Sequence, residues 1–152
     1  MHKAQAQVRD FHRGMGLPAP MEGQEYLPKA RMELRVSLIQ EELEELKGAA
    51  GYDDEKKAYR INEEFVDALG DLLYVVYSTA IEAELDMEPF FELIHEANMK
   101  KGPGPMREDG KKLKPPGWTP PNHTQELKRQ IGIFDPAGSV SIEPFARKAP
   151  RG

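Results

Sequence analysis

Leu34-Arg35-Val36-Ser37-Leu38-Ile39-Gln40-Glu41-Glu42-Leu43-Glu44-Glu45-Leu46 is the stretch whose reading decides the fold. Set out at about 100° per residue, Leu34, Leu38, Ile39, Leu43 and Leu46 fall on one broad stripe, the mark of an amphipathic helix. That helix reads from Lys29 to Lys47 and is stopped by Gly48 and Gly51. Outward from it, glycine and proline draw the rest of the map. Between Lys29 and Lys101 only Gly48, Gly51, Gly70 and Pro89 occur, whereas ten of the twenty positions from Gly102 to Pro121 are Gly or Pro. The first region can be helical throughout and the second cannot. Asp53 or Asp54 is the expected cap of a second long helix running to about Leu85, and Asp86 that of a third, with Pro89 in its first turn and an end before Gly102. His2–Arg13 reads as a short amphipathic helix closed by Gly14-Met15-Gly16-Leu17-Pro18. A turn or two of helix is expected near Thr124–Gln130, followed by extended chain. Alternation of period two is nearly absent, so the expected fold class is all-α. The domain is read as 1–121, with 122–152 as a C-terminal tail.

The bulk composition narrows the function classes. A length of 152 residues suits one domain with its own core. Yet 39% hydrophobic residues and a mean hydropathy of −0.66 imply a small core, one that sharing between subunits would complete. The absence of cysteine excludes disulfides, thiolate zinc sites and thiol nucleophiles. No apolar run approaches the ~20 residues of a membrane span, and the N-terminus lacks the apolar core of a signal peptide. The expectation is a cytoplasmic protein without a membrane partner. A net charge of −5 argues against a nucleic-acid partner.

The acids then locate a candidate site. Glu42 and Glu45 fall inside the stripe of the first long helix, Glu41 lies at its edge, and Glu44 points away as a solvated surface charge. On the second long helix Phe65, Leu69, Leu72, Val75 and Val76 make the stripe, and Glu64, Asp67 and Asp71 line its flank one turn apart. Burying an ionised carboxylate costs several kcal/mol unless a positive group meets it, and Lys and Arg look scarce on these faces. Hard oxygen ligands from two helices suit Mg²⁺ or Mn²⁺, and such ions commonly hold substrate phosphates. Downstream, Lys100, Lys101, Arg107, Lys111, Lys112 and Lys114 lie in or beside the Gly/Pro-rich segment, where cations on a pliable backbone would fold over a triphosphate.

Four motifs in order carry a resemblance. Glu41-Glu42-Leu43-Glu44-Glu45 matches an E-E-x-x-E motif, and Asp67-Ala68-Leu69-Gly70-Asp71-Leu72-Leu73-Tyr74-Val75 looks like a second metal helix. Ile94-His95-Glu96-Ala97-Asn98-Met99-Lys100-Lys101 resembles a third-helix motif, and Glu108–Lys114 followed by Gly117-Trp118 and Pro120 resembles a terminal loop. Together, from about Phe11 to Pro121, they resemble the MazG-like all-α nucleoside triphosphate pyrophosphatases, single-domain type. The resemblance implies a helical bundle completed by dimerisation, as a homodimer or homotetramer. It implies hydrolysis of a (deoxy)nucleoside triphosphate between the α- and β-phosphates, with two or more Mg²⁺ or Mn²⁺ ions per site. Glu42, Glu45, Asp67 and Asp71 would hold metal, and Glu41 would orient the attacking water or hold a second ion. Asn98 and Lys101 would reach sugar or phosphate, Arg107 and Lys114 the outer phosphates.

One position departs from the pattern: the second motif is E-x-x-D, and three before Asp71 stands Ala68. Asp67, on the same face, would supply the missing oxygen; Glu64 with Asp67 would be the same motif one turn earlier. Phe11, His12 and Trp118 are candidates for stacking on the base, each with simple packing as the alternative, and His95 is read as a packing residue. Size and layout resemble the phage MazZ type, which turns (d)GTP into (d)GMP, so guanine is the expected base and the host cytoplasm the location if the chain is phage-encoded. The alternatives are a dUTP, dCTP or general housecleaning pyrophosphatase and, in another class, an acidic helical adaptor binding a partner through Lys29–Lys47.

Overall fold

A computed structural model describes residues 1–20 and 25–132. Helix α1 (Lys3–Gly14) leads through a loop to α2 (Lys29–Ala49), and a hairpin of two short strands, β1 (Tyr52–Asp53) and β2 (Ala58–Tyr59), leads to α3 (Glu63–Glu82). Helices α4 (Met87–Met99) and α5 (Thr124–Gln130) complete the described chain. The fold is all-α, as expected. Among the described residues no helix is long and apolar enough to cross a membrane.

Helix α3 is the central element, with α2 packed along one side and α1 against another. It starts where Asn62 accepts a hydrogen bond from the Phe65 amide at 2.9 Å, and Glu63 and Glu64 place negative charge on the first turn. Asp86 caps α4 in the same manner through the Glu88 amide. Between these helices Glu84 takes a positive φ of 51°, and the corner is gripped from two sides by glutamine amides. Gln5, fully buried on α1, donates to the Leu85 carbonyl and accepts from the Met87 amide. Gln130 of α5 accepts from the Asp86 amide and donates to the Asp86 carbonyl. Backbone groups that a helix break would orphan are thereby satisfied.

The start of α3 corrects the sequence reading. Asp53 does not cap it; its carboxylate accepts from the amides of Glu55 and Lys56 and closes the hairpin turn, and Lys57 takes a φ of 50°. Asp and Asn side chains compete with helix by this local bonding, so the chain pairs Tyr52 with Tyr59 before α3 begins. The extended segment expected after Gln130 lies outside the described residues from position 133 onward.

The core of the single chain is small. Among the described residues its buried apolar side chains are Val8, Ala68, Ala80, Ile81, Phe90 and Ala97. The α2–α3 seam is narrow, with Arg35, Leu38 and Glu42 on α2 and Phe65, Ala68, Leu72 and Val75 on α3 at least partly covered. The other half of each predicted stripe faces out: Leu34, Leu43, Leu69 and Val76 are exposed, with Val66 and Leu73 beside them.

Candidate active site

Two carboxylate-bearing positions lie along the α2–α3 seam. At the first, Glu82 is only 1% exposed and accepts two hydrogen bonds from the Arg31 guanidinium, while Arg35 Nε stands 3.3 Å from Glu82 Oε1. Arg31 and Arg35 sit on the same row of α2 as Glu42. The expectation that cations are scarce on this face is therefore corrected: they are present, and both are committed to Glu82.

Eleven residues further along α2 and eleven back along α3, the same antiparallel register brings Glu42 to the level of Asp71. Burial pushes the Glu42 carboxyl above the ordinary glutamate value, and the charges of Glu45, Asp71 and Glu41 push it the same way. No ion pair to a cation meets these four acids among the described residues. Glu42 is half-buried, whereas Glu41, Glu45, Asp67 and Asp71 are exposed. The expected burial of Glu45 thus fails in the single chain, because α3 covers only a narrow row of α2. Glu41 accepts a hydrogen bond from Ser37 Oγ at 2.9 Å.

Asp67 and Asp71 line an open groove of about 580 Å³ on α3, together with Ile61, Asn62, Glu63, Val66 and Gly70. Glu64 does not line it. Ala68, at the position of the departure from the motif, is buried in the seam at 5% exposure. The donor set fits a hard divalent ion: all-oxygen, anionic, and drawn from two adjacent helices. As the side chains stand, no three His, Asp or Glu residues among those described are gathered tightly enough to hold one ion.

The basic segment forms a separate cluster. Lys101 donates to Asn98 Oδ1 at 2.7 Å, and the ammoniums of Lys101 and Lys114 lie 5.5 and 4.4 Å from the centre of the Trp118 ring. The Trp118 indole donates to the Ala97 carbonyl at 2.7 Å, tying the loop to the last turn of α4. Arg107 forms a two-pronged pair with Asp109, holding that carboxyl below the usual carboxylate range. The backbone here is built rather than loose. Gly104 packs so closely that a Cβ would stand 2.0 Å from the Leu113 carbonyl oxygen, and Met106 bridges to Lys112. No hydrogen bond, ion pair or ring contact among the described residues joins this cluster to the carboxylates.

The other aromatic candidates divide. His12 is buried and its Nδ1 lies 2.7 Å from the Pro18 carbonyl oxygen, so it packs. Phe11 stands edge-on to Tyr74 at 5.6 Å, joining α1 to α3. His95 is exposed rather than packed. Sequence reasoning missed Arg31, Arg35 and Glu82, and it missed the exposed ring pair Tyr52 and Tyr59 on the hairpin.

Helices α2 and α3 thus bring Glu42 and Asp71 to one level, with Glu41 and Glu45 nearby. The family model for phosphoribosyl-ATP pyrophosphohydrolase matches residues 8–98, and the chain belongs to that family. The family lies within the MazG-like superfamily, and its activity is hydrolysis of a nucleotide phosphoanhydride. Its match ends before Lys101, Arg107, Lys114 and Trp118. A comparison with curated proteins finds no match.

Proposed function

We propose that the chain hydrolyses the α–β phosphoanhydride of a nucleoside triphosphate, releasing the monophosphate and pyrophosphate. The observation that carries this reading is the uncompensated set Glu42, Glu45 and Asp71, with the only nearby cations on that row of α2 committed to Glu82. Such a set opposes folding unless a cation is supplied from outside. Glu42, Glu45, Asp67 and Asp71 would hold Mg²⁺ or Mn²⁺. When bound, a divalent ion neutralises phosphate charge and makes water nucleophilic at neutral pH. Glu41, held by Ser37, orients the attacking water and takes its proton. Phosphoryl transfer then depends on positioning more than on covalent chemistry. Asn98, Lys101, Arg107, Lys114 and Trp118 are proposed to meet the sugar and outer phosphates once substrate is present.

Two substrates compete for the base position. A guanine nucleotide is expected from the likeness to the MazZ type, while phosphoribosyl-ATP is the substrate in the family's name. Both carry the same anhydride. Pyrophosphate release with Mg²⁺ from dGTP, GTP, dUTP, dCTP and phosphoribosyl-ATP ranks them, and heavy-oxygen water places the attacked phosphorus. Label on the α- or β-phosphorus supports the reading. Label only in orthophosphate, or no hydrolysis of any of the five, overturns it.

The exposed side chains Leu34 and Leu43 of α2 and Val66, Leu69, Leu73 and Val76 of α3 support a second proposal, that a further copy of the chain covers them. Sedimentation equilibrium checks it: a homodimer or homotetramer is expected. Leu69→Glu with Leu73→Glu should shift the mass towards the monomer.

A further inference from the structure

The hairpin joining α2 to α3 carries an unusual pair of rings. Its ladder has two rungs, Tyr52 opposite Tyr59 and Asp53 opposite Ala58, extended by an Arg60 amide bond to the Gly51 carbonyl at 2.8 Å. A ladder of this size is marginal alone, so its side chains decide what it is for. Tyr52 and Tyr59 meet edge to face at 5.1 Å and 65°, yet remain 52% and 66% exposed. Two large rings are thus held in water at a fixed place.

Their place is set by the backbone. Directly paired residues project from the same face of a ladder, and residues two apart in extended chain share a side. Tyr52, Tyr59 and Ile61 therefore follow one another on one side. Ile61 is 75% exposed and lines the groove that continues over Val66, Asp67, Gly70 and Asp71. Gly70 leaves that wall open, since a Cβ there would meet nothing within 4 Å. The groove begins at Ile61, next to the hairpin, with Asn62, Glu63 and Val66 beside it, and ends at Asp67 and Asp71; the two tyrosines stand just before Ile61 on the same side of the chain. From Glu63 to Asp71 the helix rises about 12 Å.

We propose that Tyr52 and Tyr59, with Ile61, form the platform on which the base of the substrate nucleotide lies, its phosphates extending toward the divalent ion that Asp67 and Asp71 would hold. The inference rests on the pyrophosphatase reading above and adds a base subsite to it. Every base has a π-face, so a stacking platform binds bases broadly and separates them weakly. Base discrimination across the nucleotide panel is accordingly modest.

The experiment uses the full chain with Mg²⁺ and compares wild type, Tyr52→Ala with Tyr59→Ala, and Tyr52→Phe with Tyr59→Phe. Removing both rings should raise KM for the best nucleotide of the panel roughly tenfold to a hundredfold, with kcat little changed. The phenylalanine pair should stay near wild type, because stacking needs no hydroxyl. Inorganic tripolyphosphate, which has no base, serves as a competing ligand and should inhibit all three equally. An unchanged KM in the alanine pair overturns the platform, as does a parallel loss of tripolyphosphate inhibition, which would mark a disturbed groove. A phenylalanine pair as poor as the alanine pair overturns stacking. If wild type hydrolyses no nucleotide, the pyrophosphatase reading fails and the platform with it. If wild type is active and only the ring variants stay unaffected, the platform alone fails.

Discussion

The two carboxylate positions of the α2–α3 seam lie on the same helices, in one antiparallel register, about 16 Å apart by helix rise. Their environments are opposite. At one, Glu82 is nearly without solvent and is met by Arg31 and Arg35. At the other, Glu42 lies within the field of Glu45, Asp71 and Glu41, with no ion pair to a cation among the described residues. A satisfied buried pair is a fastening. A crowd of like charges works against the fold and persists for a task. The difference teaches that counting acids does not find a site; asking which acids lack a counter-charge does.

The largest effect should come from breaking the fastening. Glu82→Gln leaves Arg35 buried with its charge unmatched and should cost about 3–5 kcal/mol, read by urea denaturation. Glu45→Gln, on an exposed side chain, should leave stability nearly unchanged. Equal losses in the two variants would erase the distinction between them. The next effect is functional. Asp71→Asn should lower pyrophosphate release by on the order of a hundredfold while folding normally by circular dichroism. Lys114→Ala should lower it less, since Lys114 already rests on Trp118. A Lys114 variant as inactive as the Asp71 variant would move the chemistry to the basic loop.

Much of this comparison was hidden in the sequence for a physical reason. The helices themselves were legible: the stripe of Lys29–Lys47, the Asp86 cap and the stop before Gly102 all reflect local rules. The partnership of Arg31 with Glu82 spans 51 residues and depends on the register of two helices, which periodicity within one helix does not contain. The same limit applies to the stripe, which tells that Leu34, Leu38 and Leu43 share a broad face but not which half meets α3. The hairpin left no period-two signal because an Asp53 turn and one pair of tyrosines hold it. The candidate acids were legible from spacing; their lack of a counter-charge was not.

A smaller effect concerns the motif departure. Asp67 lines the groove with Asp71, and Glu64 does not. Asp67→Ala should therefore lose about tenfold or more of the activity, and Glu64→Ala should keep most of it. The reverse ranking, measured by pyrophosphate release, would place the motif one turn earlier on α3.

The smallest effect is the most direct test of the uncompensated charge. The folded chain raises the Glu42 pKa, so over a window opening at the ordinary glutamate value, about 4.3, and extending upward, the native state holds a proton that the unfolded state has released. Stability then falls as pH rises through that window and is flat above it. Glu42→Gln removes the falling segment. Without divalent ions at pH 7 the variant should match or exceed wild type, by less than about 1 kcal/mol because solvent screens the site. Millimolar Mg²⁺ or Mn²⁺ should reverse the order. An ion that binds only the folded state adds stability by mass action, raising the wild-type Tm while the variant, short of one oxygen anion, gains less. A wild-type Tm indifferent to both ions, or a variant less stable than wild type in their absence, would mean that the crowding of acids along this seam carries no electrostatic cost and marks no metal site.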